Sequence, residues 1–150
     1  MTELKELYQE VVLDHNSKPR NFKKIDGADK KSEGYNPLCG DRITLYLKLK
    51  DGTIEDIGFQ GTGCAISRAS ASMMTQAMKG KSKEEAERLY ETFHKMITRA
   101  HGEEYEADGL GDLEVLAGVS DFPARVKCAT LSWHTLHNAI EGKEEKSSTE

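Results

Sequence analysis

The sequence predicts an α+β fold, in which helices pack on one face of a small antiparallel sheet of three strands. Apolar and polar residues alternate strictly over residues 43–50, which is the pattern of a half-buried strand. Asp51 and Gly52 follow as a two-residue hairpin signal, and TIEDIGFQG is the returning strand. Segments with helical periodicity lie before and after this hairpin.

One helix and a third strand are predicted before the hairpin. Leucine, tyrosine and valine recur at helical spacing over about the first 14 residues, which indicates an amphipathic helix. Pro19 disfavours helix at the residue before it, so the helix should end there. A polar connection follows, and residues around Tyr35 are expected to add the third strand.

Helices dominate the chain after the hairpin. A helix rich in alanine, serine and methionine should begin near Cys64 and end at Gly80. Ser82 and Glu85 have the spacing of a capping box, which opens the next helix. After an acidic, glycine-rich loop, we expect a short helix near residues 113–116. The last helix should run from Pro123 to about Glu141.

Length and composition bound the class of protein. A chain of 150 residues suffices for one domain and is too short for two, so residues 1–141 should form a single domain and residues 142–150 a disordered tail. The net charge of -5 argues against nucleic-acid binding. No apolar run approaches the ~20 residues that span a bilayer, and the N-terminus lacks a secretory signal. We therefore expect a cytoplasmic protein without membrane partners.

The three cysteines lie at the edges of predicted elements. Cys39 is in the loop before the long strand, and Cys64 follows GTG at the start of a helix. Cys128 lies near the front of the last helix, roughly opposite its apolar stripe, so it is not expected to be a routine core residue. An odd number of cysteines in a reducing compartment favours metal binding or a reactive thiol over disulfides.

A tetrahedral zinc site needs a fourth ligand besides three thiolates, and Asp41 can supply a carboxylate oxygen. Residues i and i+2 of an extended strand share a face, so Cys39 and Asp41 could reach the same ion. The cationic residues Arg42, Arg125 and Lys127 adjoin these ligands in sequence and could offset their negative charge. Because no CxxC knuckle is present, spacing alone leaves a merely structural role for the cysteines equally open.

The histidines give weaker signals. His134 and His137 lie three residues apart on the last helix, but neither faces the Cys128 side squarely, which favours packing or surface roles. His94 and His101 lead into a loop and are expected to be solvated.

The motifs YNPLCGD, GTGCAISRASASMM and RVKCATLSWHTL, together with DHNSKPRN, resemble the IscU/NifU N-terminal superfamily of iron–sulfur assembly proteins. Within it, the chain is most similar to the SufU branch. Lys127 stands before the third cysteine, where IscU scaffolds have a histidine, and DFPARVK stands where they have their LPPVK chaperone segment. The long stretch between Cys64 and Cys128 is consistent with a SufU-type insertion around residues 88–109.

The resemblance implies a zinc-dependent sulfurtransferase with one Zn²⁺ per chain, held by Cys39, Asp41, Cys64 and Cys128. It implies a SufS-type cysteine desulfurase as sulfur donor, Cys39 as the mobile sulfur acceptor, and a SufBCD-type scaffold downstream. Arg125, one turn before Cys128, is expected to serve the site or the partner. Two alternatives remain: an IscU-type scaffold that assembles a [2Fe–2S] cluster on the same ligands, or an interaction module with purely structural zinc.

Overall fold

The structure, a computed structural model, describes residues 2–100, 102–141 and 147–148. It confirms the α+β class. None of the helices in these ranges is both long and apolar enough to cross a membrane. The elements in chain order are helix α1 (Thr2–Ser17), strands β1 (Lys30–Asn36), β2 (Asp41–Lys50) and β3 (Thr53–Thr62), helices α2 (Ala65–Met78) and α3 (Lys83–Thr98), a 3₁₀ helix (Gly111–Asp121), helix α4 (Pro123–Ile140), and a two-residue strand β4 (Ser147–Ser148).

The predicted three-stranded antiparallel sheet is present, with the strand order β3-β2-β1. The third strand, expected around Tyr35, is β1. Strand β4 pairs parallel with β1 at the free edge of the sheet. It comprises the only two residues that the structure describes from the stretch 142–150, where the sequence predicts a disordered tail; the rest of that stretch lies outside the described residues.

The β2–β3 hairpin turns where the sequence predicts. Asp51 and Gly52 both have positive φ, at 52° and 76°, as a tight two-residue hairpin turn requires. The alternation in β2 is confirmed for Ile43, Leu45 and Leu47, which are buried. Leu49 is only half-buried, because the register shifts between Lys48 and Leu49 and the shift interrupts the pairing there.

The predicted helix boundaries agree with the structure. The capping box is present, since the Ser82 hydroxyl accepts from the Glu85 amide and the Glu85 carboxylate accepts from the Ser82 amide. Gly80 adopts φ of 88° directly after the end of α2. The short helix expected near residues 113–116 is instead a 3₁₀ helix of 11 residues.

Helix α4 lies between the sheet and the other helices. On one side, Leu131 and Thr135 pack so closely on β1 that a side chain at Gly34 would clash with both. On the other side, Trp133 stacks on Phe93 of α3, with the ring centroids 4.0 Å apart. Cys128 lies opposite the predicted stripe and is fully buried, with its sulfur in contact with Asn36 and Cys39 of the β1–β2 hairpin.

Hydrogen bonds hold the end of α1 and the segment after it against α2, and one of them involves the buried His15. The Nδ1 atom of His15 lies 2.7 Å from the Ser72 hydroxyl oxygen, which also accepts a hydrogen bond of 2.8 Å from the Arg20 amide. The Asn21 side chain donates to the Thr75 hydroxyl. The DHNSKPRN motif therefore holds α1 and the following loop against the helix that begins at Cys64.

Candidate metal centre

Cys39 lies in the turn that joins β1 to β2. The register of these strands ends with Asn36 opposite Asp41, so residues 37–40 form the turn, and Gly40 takes φ of 73°. Cys39 is exposed there, whereas Asp41 is fully buried at the first position of β2. The expected extended arrangement of Cys39 and Asp41 on one strand is wrong, because the chain turns at Gly40.

Asp41 connects this turn to the start of α2. Its Oδ1 atom accepts a hydrogen bond of 2.9 Å from the Cys64 amide, and Cys64 is the residue at which α2 is capped. A Cβ atom on Gly63 would lie 2.6 Å from the same carboxylate oxygen. The glycine before Cys64 is therefore needed for the close approach between the carboxylate and the backbone.

Cys128 comes to the same place from the first turns of α4. Its sulfur lies 3.3 Å from the Cys39 sulfur, and ligand atoms of Cys39, Asp41 and Cys128 all lie within 4.8 Å of one another. Burial raises the pKa of the Cys128 thiol far above its usual range, and contacts with Cys39, Asp41 and Cys64 raise it further. The surroundings of this thiol therefore disfavour its thiolate form.

The structure thus brings three of the four predicted ligands into one compact group. Cys64 is half-buried beside them and contributes to the raised pKa of Cys128, but its sulfur lies outside the group of three. Three thiols and a carboxylate are a donor set that suits zinc and also suits an iron–sulfur cluster. The residues present therefore fit either metal group.

Asn36 is a site residue that the sequence analysis missed. It is fully buried, and its Nδ2 atom donates to the Asp41 carboxylate at 3.0 Å and points at the Cys128 sulfur at 3.6 Å. Its Oδ1 atom accepts from the Leu38 amide, inside the turn that carries Cys39. In the sequence, Asn36 is only an asparagine near the end of a predicted strand. Its pairing with Asp41 follows from the register of the hairpin, which the sequence alone does not give.

Of the three cationic residues considered, Arg125 is the one whose charge interacts with the sulfurs. The pKa of the exposed Arg125 guanidinium is raised, mainly by attraction to the Cys64 sulfur and to a smaller extent by a hydrogen bond to Cys128. Arg42 instead lies over the Tyr35 ring, 4.8 Å from its centroid. Lys127 is half-buried on α4.

An apolar rim borders the site. Leu38 and Phe122 are large apolar side chains that are 60% and 62% exposed, respectively. A cavity of ≈ 400 Å³ opens between the start of α2 and the start of α4. Its lining residues are Cys64, Ala65, Ile66, Val119, Phe122 and Arg125.

Comparison with known proteins assigns the family. A family model described as the NifU-like N-terminal domain matches residues 7–145. The chain belongs to this family. It is 49% identical over 140 residues, which are 93% of this chain and 92% of the relative, to a Bacillus subtilis protein named zinc-dependent sulfurtransferase SufU.

Other members of the family carry a different functional name. The chain is 47% identical over 141 residues, 93% of its own length and 86% of the relative's, to a Streptococcus pyogenes protein named iron–sulfur cluster assembly scaffold protein IscU. A crystal structure from Fervidobacterium islandicum, described as a scaffold protein for the SUF system, superposes with a TM-score of 0.82 at 36% identity. The superposition covers 90% of this chain and 97% of that one. Iron–sulfur cluster assembly appears in the descriptions of the last two proteins, whereas the B. subtilis relative is named as a sulfurtransferase.

Proposed function

We propose that the protein is a zinc-dependent sulfurtransferase that accepts persulfide sulfur from a SufS-type cysteine desulfurase in the cytoplasm, for cluster assembly on a SufBCD-type scaffold. The observation that carries the proposal is the contrast in exposure within the site. Cys39 is exposed on a turn, whereas Asp41 and Cys128 beside it are fully buried. One thiol is therefore accessible to a partner protein while the other two groups stay in place.

The backbone makes Cys39 the cysteine that can move. Cys64 is fixed at the start of α2 by its amide hydrogen bond to Asp41, and Cys128 is held within the hydrogen-bonded body of α4. Cys39 lies between Pro37 and Gly40 in a turn, where displacement breaks few contacts. Sulfur transfer requires such a movable acceptor.

The proposed transfer is a thiol–persulfide exchange that balances without any added oxidant. The Cys39 thiolate attacks the terminal sulfur of a cysteine persulfide on the desulfurase. A sulfur–sulfur bond forms on Cys39, the bond within the donor persulfide breaks, and the donor cysteine leaves as a thiolate. The exposed Leu38 and Phe122 side chains and the charge of Arg125 are the groups that would contact the partner.

We further propose that Cys39, Asp41, Cys64 and Cys128 hold the zinc. Zinc bound there would keep the buried thiols deprotonated near neutral pH. Asn36 would keep Asp41 and Cys128 in position, because it donates to the first and points at the second from a fully buried position.

The second candidate is a scaffold for a [2Fe–2S] cluster, which the name of the S. pyogenes relative favours. Lys127 argues against it, because a lysine ammonium offers only donors and cannot replace a ligating histidine near neutral pH. The family resemblance places that histidine directly before the third cysteine, where this chain has the half-buried Lys127.

The test measures metal and acid-labile sulfide in protein purified without oxygen. We expect zinc in a ratio of one per chain and no sulfide; iron together with sulfide would overturn the transferase proposal in favour of the scaffold. The matched variant is Lys127→His, which restores the residue type of the scaffolds. If Lys127 discriminates between the two functions, this variant gains iron and sulfide during reconstitution and the parent protein does not.

A further inference from the structure

A second group of metal-ligating side chains lies between α3 and the C-terminal part of α4. Glu141 caps the end of α4 one turn after His137, and Glu87 faces them from α3. Ligand atoms of these three residues all lie within 4.8 Å of one another. Since α4 rises by about 1.5 Å per residue, His137 is about 13 Å along the helix axis from Cys128. The group is therefore separate from the thiol site.

The three side chains are partly withdrawn from solvent. Their exposed fractions are 26% for His137, 31% for Glu87 and 40% for Glu141. The Tyr90 ring stacks on the His137 ring, with the centroids 4.6 Å apart and the planes 10° from parallel. The Tyr90 hydroxyl is itself tied to His134 Nδ1 at 3.0 Å. This packing restricts rotation of the His137 imidazole.

A simple imidazolium bridge does not account for the Glu87 side of the arrangement. Glu87 Oε2 lies 3.0 Å from His137 Nδ1, and Glu141 Oε1 lies 3.1 Å from Nε2. Yet the buried Nδ1 atom makes no hydrogen bond with any described residue, so the Glu87 oxygen lies off the direction of a ring N–H. The Glu87 carboxylate therefore approaches the imidazole without the alignment that a proton-mediated bridge would require, and the Glu141 carboxylate lies beside the other ring nitrogen.

We propose that Glu87, His137 and Glu141 form a second divalent-metal site, of the imidazole–carboxylate class that suits Zn²⁺ and related borderline cations. Two carboxylates supply the negative charge that a dication neutralises, and the imidazole supplies selectivity for a transition metal over calcium or magnesium. Three protein ligands leave a further coordination position for water. Because the ligands come from two helices, the ion links α3 to α4.

The test adds Zn²⁺ to protein whose thiol site has first been loaded with zinc, and follows binding by calorimetry and by the NMR signals of the histidine rings. We expect a second equivalent to bind with micromolar affinity and to shift the His137 ring signals. Mutation of a residue that only hydrogen-bonds to a metal ligand typically lowers metal affinity by ~10–100-fold, and loss of a ligand itself should lower it at least as much. His137→Gln and Glu87→Gln should therefore each weaken the second binding event to at least that extent.

His94→Gln is the matched control, because His94 lies beside His134 on the same pair of helices but outside the donor group. It should bind the second equivalent as the parent does. Melting of each variant in the absence of added zinc shows whether it folds. If His137→Gln does not fold, Glu87→Gln, whose side chain is slightly more exposed, still tests the site. The proposal is overturned if no second equivalent binds at millimolar Zn²⁺, or if binding is unchanged in both ligand variants.

Discussion

The two ends of α4 bring chemically reactive side chains together in opposite ways. At its start, Cys128 meets Cys39 and Asp41, which come from a turn and a strand far away in the sequence. Toward its end, His137 meets Glu87 from the neighbouring helix and Glu141 from its own next turn. The first group is rich in sulfur and has one exposed member, whereas the second is built from imidazole and carboxylates on two regular helices.

The difference shows what each group can do. The thiol site depends on the register of a hairpin and includes a residue on a turn, so one of its members can move while the others stay. Glu87 and His137 of the imidazole–carboxylate group lie on helix bodies, and Glu141 caps the end of α4, where its amide donates to the His137 carbonyl. A movable thiol suits group transfer, and a fixed set of donors suits a structural link between helices. The predictions that follow test this contrast, beginning with the largest effect.

Removal of zinc should have the largest effect and should act on the thiol end. Binding of a metal by segments distant in sequence is linked to folding, and structural zinc is worth on the order of 10 kcal/mol in small domains. Chelation should therefore lower the melting temperature markedly, while the NMR signals of the His134 ring stay close to their original positions. An unchanged melt after verified removal of zinc would refute this prediction.

Asn36→Ala should have the next largest effect. It removes the hydrogen bond to the buried Oδ2 atom of Asp41 and the one to the partly buried Leu38 amide, which costs about 1–3 kcal/mol of unfolding free energy. Ser32→Ala on the same strand is the control, because the buried Ser32 hydroxyl has no hydrogen bond to any described residue. Urea denaturation should show a clear loss of unfolding free energy for Asn36→Ala and almost none for Ser32→Ala. Equal losses would contradict the role of Asn36 in holding the site together.

Acid should lower the stability of the fold through His134, near the C-terminal end of α4. The pKa of His134 lies below its usual value of about 6.5, mainly because the side chain is buried and to a smaller extent because His94 and His137 repel its charged form. The folded state therefore favours neutral His134, so its contribution to stability is complete above about pH 6.5 and is lost as the pH falls below that value. Denaturation across this range should be less dependent on pH in His134→Gln than in the parent. Parallel curves for the two proteins would contradict the assignment.

Arg125→Ala should have the smallest effect on the fold. The guanidinium is exposed and lies beside the sulfurs, so its removal should slow sulfur uptake from the desulfurase while zinc content and melting temperature stay the same. Arg125→Lys, which keeps the charge, should retain much of the rate. Loss of zinc or of solubility in Arg125→Ala would assign it a structural role instead.

Local patterns predicted most of the fold. The Asp51-Gly52 turn and the Ser82–Glu85 capping box depend on residues close together in the sequence, and both are present. The alternation predicted in β2 is present only in part, because Tyr46 on the polar face is buried and Leu49 on the apolar face is half-buried. The burial of Cys128 could not be predicted in this way. It depends on the β1–β2 hairpin lying against the start of α4, which is a property of tertiary packing.

The candidate sites show the same limit. The cysteine motifs pointed to the thiol group through their resemblance to a family, but Asn36 acts through the hairpin register and Gly63 through a close approach to a carboxylate. Periodicity within α4 alone suggested packing or surface roles for His137. Its carboxylate partner Glu87 lies on a different helix, and no spacing within either helix reveals that pairing.

The central claim is that Cys39 receives the transferred sulfur, and mapping the persulfide tests it most directly. The protein is incubated with its cysteine desulfurase and cysteine, alkylated, and analysed by peptide mass spectrometry, with Cys39→Ser in parallel. We predict that the added sulfur is found on the peptide that contains Cys39 and that Cys39→Ser takes up none. Persulfide found mainly on Cys64 or Cys128, or full transfer by Cys39→Ser, would contradict the account.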